Sequence, residues 1–223
     1  MGLKSNRSKA QEDEHMRSGP FLAIVAVCLA PLASSKAQTP AAPPSQGLYR
    51  LPFADGTKVQ VFDDFLTHRP VGRVDLFAVG GPAPYPVVAA AAGRIVAIQD
   101  GYSEQQSGRA AKDCHNNYVW IAYPNGEWTN YSHIAHDTVT QKAGLKVGDA
   151  VGAGQYLGDE GAVGCAMLHH VHFEVAVPDP DTPIDSGGFL TDNDGGKRER
   201  DPRFCGVPGG AATKGATYRA SAC

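Results

Sequence analysis

Three histidines fall within four positions in the stretch "MLHHVHFEVAV": His169, His170 and His172. Imidazole is a poor choice for filling a strand, so the cluster asks for a chemical role. On an extended chain, residues two apart share a face. His170 and His172 therefore project together with Leu168 and Glu174, whereas His169, Val171, Phe173 and Val175 project to the other side. Two imidazoles at that spacing can reach one metal ion, and they can equally form a polar patch at a strand end. A catalytic zinc takes three protein ligands and keeps one position open, so the remaining ligands must come from elsewhere in the chain.

The elements available to hold such a site are short strands. With 26 Gly and 16 Pro the chain is rich in turns, and no amphipathic helix longer than two turns is evident. The segment "YPVVAAAAGRIVAIQD" reads as a strand, a turn at Gly93 and a second strand. "NNYVWIAYPNGEWTNYSHI" reads as a hairpin around a Pro-Asn-Gly turn. In "LKVGDAVGAGQYLGDEG", glycines 148, 152, 154 and 158 punctuate short extended pieces. The histidine strand follows, over about 168–177. These patterns predict an all-β fold, an antiparallel sandwich or collapsed barrel, over residues 51–180. Residues 38–50 have the Pro/Ala/Ser/Gln composition of a linker, and 181–223 read as a loop and tail, with a last strand or two.

The 223 residues suit one domain with appendages. A net charge of −3 without a Lys/Arg run excludes a nucleic-acid footprint. Residues 1–37 read as a leader: Arg17, an apolar stretch from Phe21 to Leu32, then the small-residue site Ser35-Lys36-Ala37. That stretch is shorter than the ~20 residues a span needs, so no membrane span is expected after leader removal. Export to the periplasm or medium is the expectation. Removing Cys28 with the leader leaves Cys114, Cys165, Cys205 and Cys223. Four cysteines permit three pairings, which sequence leaves open. We favour Cys114 with Cys165, and Cys205 with Cys223 tying down the tail.

"HVHFEV" resembles the H-L-H-F-E-V signature of the lysostaphin-type (LytM-type) zinc endopeptidases, which cut peptide cross-links in bacterial cell walls. "VDLFA…PVVAAAAGRIVAI" is similar to that family's first-ligand segment, "NNYVWIAYPNGEWTNYSHI" to its G-N-x-V-x-I…Y-x-H-L hairpin, and "VGDAVGAGQYLGDEG" to its G-D-x-V-x-x-G-Q-x-I-G turn. The small-residue loop before the histidine strand corresponds to "GAVGC". The resemblance implies Zn2+ held by Asp75 and His172. Its third ligand, an upstream histidine, usually follows H-x-x-x-D spacing. That register lands here on Val71, and His68, with six residues between it and Asp75, is the nearby candidate. The resemblance makes His133 and His170 the non-ligand histidines beside the metal. A neutral imidazole there accepts a proton from water and an imidazolium steadies an oxyanion. Asn117 and Tyr131 are candidates to line the site, His115 and His136 read as loop residues, and Glu174 lies too far along its strand to bind.

The function so implied is an exported zinc metalloendopeptidase, monomeric, acting on peptidoglycan peptides. The alternative is an inactive domain of the same fold that activates a separate wall amidase, which the missing H-x-x-x-D spacing favours. A lipoyl- or biotinyl-carrier reading of the Gly-rich turn fails for want of a Met-Lys-Met tip.

Overall fold

In the computed structural model, which describes residues 42–106, 114–191 and 197–223, the sequence alternation becomes registered strands. The described residues belong to one unit, Pro40–Cys223. The leader expected over 1–37 lies outside the described residues.

Strands β1 (Lys58–Asp63), β2 (Arg73–Val79), β3 (Pro86–Val88), β4 (Gly93–Gln99), β5 (Tyr118–Ala122) and β6 (Trp128–Ser132) are followed by a π-helical turn, Thr138–Lys142. Then come β7 (Ala150–Val151), β8 (Tyr156–Asp159), β9 (Val171–Ala176), β10 (Glu199–Arg200) and β11 (Thr217–Arg219). The main sheet runs β11-β1-β2-β9-β6-β5-β4-β7, with β10 also on β9, and β3 pairs with β8 in a second small sheet. All these pairings are antiparallel. The fold is the all-β, antiparallel, helix-poor one expected. No helix among the described residues is long and apolar enough to cross a membrane.

The β5–β6 hairpin closes as its sequence demands. Gly126 takes φ 82°, a left-handed value that only glycine adopts without steric cost, and Tyr123 N donates to Glu127 O at 2.9 Å. Behind the sheet, Val59, Val74, Leu76, Val119, Ile121, Tyr131, Val171 and Phe173 pack with Tyr49, Phe53 and Phe204 into the main core. A smaller cluster of Trp120, Ala176 and Leu190 lies apart from it.

Residues 44–50, expected as linker, are instead part of the fold. Pro44 bridges Asp201, and Tyr49 and Arg50 are buried. The cause is Glu127 in the hairpin turn. Its carboxylate accepts hydrogen bonds from Gln46 N (2.6 Å), Gly47 N (2.8 Å) and Tyr49 Oη (2.8 Å). Composition suggested a solvated segment, but these main-chain donors have a buried acceptor. The tail is also structured, since β10 and β11 extend the sheet. Both expected disulfides are present, each with Cα atoms 5.4 Å apart.

Candidate metal centre

The strand register lines up a polar row across the main sheet. Asp63 of β1 faces Asp75 of β2, Asp75 faces His172 of β9, and His172 faces Ser132 of β6. One register step on, Arg73 faces Glu174 and Glu174 faces Asn130. Cross-strand neighbours sit close enough to interact directly, so the pairing itself brings His172 to Asp75: Nδ1 lies 3.0 Å from Oδ1.

His68 reaches the same carboxylate from the loop between β1 and β2. Asp64 and Thr67 fold that loop back. Asp64 Oδ1 accepts from Leu66 N (3.1 Å) and Thr67 N (2.9 Å), while Thr67 Oγ1 accepts from Asp64 N (3.0 Å). Such side-chain caps are a frequent reason for Asp and Thr at turns. His68 then places Nε2 3.5 Å from Asp75 Oδ2, with Nδ1 2.7 Å from Pro70 O. Ligand atoms of His68, Asp75 and His172 all lie within 4.8 Å of one another. The long His68-to-Asp75 spacing is thus absorbed by a folded loop.

His170 and His133 stand beside this set without joining it. His170 Nε2 is 3.5 Å from Asp75 Oδ1, and its ring lies 4.7 Å from that of His133. His170 enters just ahead of β9, paired with Gly161. His133 follows β6 in a left-handed conformation, φ 66°, a strained choice for a side-chain-bearing residue. Asn117 O holds its N–H at 2.9 Å. In both rings Nδ1 meets a backbone carbonyl, Leu168 O for His170 and Val163 O for His133, each at 2.8 Å. A carbonyl accepts only, so Nδ1 carries the proton when the ring is neutral and Nε2 presents a lone pair.

Burial dominates the electrostatics. It pushes His133 down to about 3, helped by the neighbouring His170 and His172, and His172 down to about 4 against the pull of Asp75. For His170 burial acts downward as well, but the Asp75 carboxylate outweighs it and the pKa is raised. Burial alone would raise Asp75, and its contacts with His170 and His172 hold it well below the usual carboxylate range. A neutral His172 beside an ionised Asp75 is the protonation state a metal requires of these two ligands. Around a tetrahedral zinc with bonds of about 2.0–2.2 Å, ligand atoms lie about 3.4 Å apart. His68 Nε2 stands 3.5 Å from one Asp75 oxygen and His172 Nδ1 3.0 Å from the other, so the two imidazoles flank the carboxylate at the scale of such a site.

Two expected lining residues belong elsewhere. Tyr131 is in the core, its oxygen accepting from Ala90 N at 2.7 Å. Asn117 is buried and ties Tyr102 to Ile134 through its side chain. His115 and His136 are exposed, and Glu174 is buried 3.7 Å from Arg73 Nε, outside the ligand set. Residues that the sequence reading passed over include Phe62, Phe77 and Met167, which line a recess of about 280 Å³ at the centre. Arg73, Asp185 and Phe189 line a neighbouring recess of about 320 Å³. Phe77 had a legible signal, since it lies two residues from Asp75 and shares its face.

No curated protein matches the chain. Among solved structures, it is 24% identical to lysostaphin from Staphylococcus simulans over 60% of this chain and 46% of that one, with a TM-score of 0.39. A zinc-containing peptidase from Vibrio cholerae is 22% identical over 60% of this chain and 35% of that one, TM-score 0.35. The deep-sea M23 metalloprotease pseudoalterin is 18% identical over 69% and 95%, TM-score 0.42. The chain thus spans less than half the length of the first two. Residues 74–186, which contain Asp75, His133, His170 and His172 but begin after His68, match the model of peptidase family M23. With just over half of its residues in that match, the chain belongs to peptidase family M23.

Proposed function

We propose that this protein is an exported zinc-dependent endopeptidase that hydrolyses peptide bonds of bacterial peptidoglycan. The observation that carries the proposal is the convergence of His68, Asp75 and His172 on one point, with His133 and His170 beside it and outside the ligand set. A zinc held by those three residues supplies Lewis-acid polarisation of a scissile carbonyl and of the attacking water. His133, with Nδ1 committed to Val163 O, offers Nε2 as acceptor for the water's proton. His170, with Nδ1 committed to Leu168 O and its pKa raised, against burial, by Asp75, donates from Nε2 as the imidazolium to the oxygen on which charge develops. The two recesses share His68, His133 and His172 in their walls, so an extended peptide can cross the centre from one to the other. The two disulfides support an oxidising compartment, where such bonds persist.

The test is metal content together with hydrolysis. The purified protein should hold near-stoichiometric zinc, lost in His68→Ala, and should release peptides from purified peptidoglycan until a chelator is added. If it cleaves no wall preparation, yet stimulates a separate amidase equally with and without zinc, the binding-domain alternative replaces this reading.

A further inference from the structure

Three large apolar side chains that folding leaves in water stand around one recess. Met167 is 71% exposed, Leu168 54% and Phe62 47%. With Phe77 they line the recess at the candidate metal centre. Scattered exposed apolar residues need no explanation, whereas several gathered around one cleft mark a binding surface. A β-bulge between Val61 and Asp63 turns Phe62 onto Phe77, ring centroids 5.4 Å apart. Phe77 in turn stacks on His170 at 5.3 Å.

The segment that carries Met167 and Leu168 is held in place. Gln105 Nε2 donates to Ala166 O (2.8 Å) and Met167 O (3.0 Å), and Cys165 just before them is bonded to Cys114. Leu168 O is the carbonyl that orients His170. The charged groups at the rim are engaged: Asp63 pairs with Lys214 at 2.7 Å, and Arg69 Nη1 donates to Leu66 O and His68 O. An apolar part of a recess beside the reacting groups is how a peptidase selects a side chain.

We infer that Phe62, Phe77, Met167 and Leu168 form a substrate subsite, next to the bond being cut, that takes a side chain with a long aliphatic stem rather than glycine. The inference rests on the peptidase reading above. The source consistent with that reading is a diamino acid of a stem peptide, and a leucine-like residue of a protein chain is the other outcome of the test.

The experiment uses the zinc-loaded full chain and hexaglycine peptides in which the third or the fourth residue is Gly, Ala, Leu or Lys in turn. On one side of the central bond, Leu or Lys should raise kcat/KM at least about tenfold over Gly, through KM. A Lys preference points to a stem-peptide source and a Leu preference to a protein source, and either supports the subsite. In a Met167→Ala/Leu168→Ala double variant that retains zinc, the ratio to Gly should fall to within about twofold. Calorimetry on the metal-free protein should show the preferred peptide binding with a negative heat-capacity change that shrinks in the double variant. Equal cleavage of all peptides, or a preference that survives the double substitution, overturns the subsite and leaves the peptidase reading standing. No cleavage of any peptide or of peptidoglycan overturns both.

Discussion

The two faces of β9 are equally hidden from solvent and opposite in chemistry. Val171, Phe173 and Val175 join the main core, while His172 and Glu174 on the other face are buried polar groups. Burial of the first set stabilises the fold through removal of apolar surface from water. Burial of the second costs free energy unless partners are found, and here they are incomplete. Both Glu174 carboxylate oxygens and His172 Nε2 lack hydrogen-bond partners, and burial, set against the nearby Arg73, raises Glu174 to about 7. One strand thus carries an apolar face that stabilises the fold and a polar face that borders the candidate metal centre.

Substitutions one residue apart should separate these faces. His172→Ala should remove zinc and lower peptide hydrolysis by at least about a thousandfold, on the scale of losing one member of a catalytic unit. Its metal-free stability in urea should change by no more than about 1 kcal/mol, because losing the contact with Asp75 is offset by removing a buried, unpartnered Nε2. Phe173→Ala should do the reverse, costing about 3–5 kcal/mol while the folded fraction still binds zinc. Equal stability losses for the two would dissolve the contrast.

The disulfides extend the comparison beyond the strand. The Cys114–Cys165 bridge closes a separation of 51 residues and Cys205–Cys223 one of 18. In the chain-entropy model these contribute about 4 and about 3 kcal/mol. Replacing both cysteines of the first pair with serine should lower activity as well as stability, since Cys165 adjoins the loop that holds His170. The tail pair should lower stability alone, read by peptide hydrolysis at a temperature where both variants are folded.

The smallest effect concerns Glu160, buried behind His170 with Oε1 accepting from Ala78 N at 3.2 Å. Burial pushes its pKa up to about 7. The folded state therefore keeps a proton that the unfolded chain gives up, and this residue's contribution is present below about pH 4.5 and lost as pH rises to 7. Glu160→Gln keeps the hydrogen bond and removes that loss. It should match the parent at pH 4 and exceed it by about 1–2 kcal/mol at pH 8, discounted for residual solvent access. Denaturation of the metal-free protein at both pH values measures it, and an equal gain at both would exclude burial as the cause.

Much of this arrangement was legible in the residues. The hairpin and β9 follow from alternation and from a turn whose glycine must be left-handed. The same alternation placed His170 and His172 on one side, although His170 sits just outside the paired strand. The His68 position was harder, because its reach depends on the Asp64–Thr67 turn and on Lys214 N donating to Asp64 Oδ2 at 2.9 Å from a distant part of the chain. The orientation of His133 depends on the carbonyl of Val163, which has no side-chain signature. Tyr131 and Asn117 were misplaced because alternation fixes a side but not what covers it. The segment 44–50 was misread because its partner, Glu127, is remote in sequence.

That last contact makes the segment a working part of the folded unit. Glu127 gathers donors from Gln46, Gly47 and Tyr49 on a single carboxylate, and Tyr49 lies against Tyr123 and Phe173. A processing cut after Ala37 would leave this clasp whole. A cut beyond Gly47 would strip the carboxylate of two main-chain partners and loosen the ring that backs Phe173, directly behind His172. The first residues of the folded unit are therefore a brace for the strand that carries His172, reached from its far side.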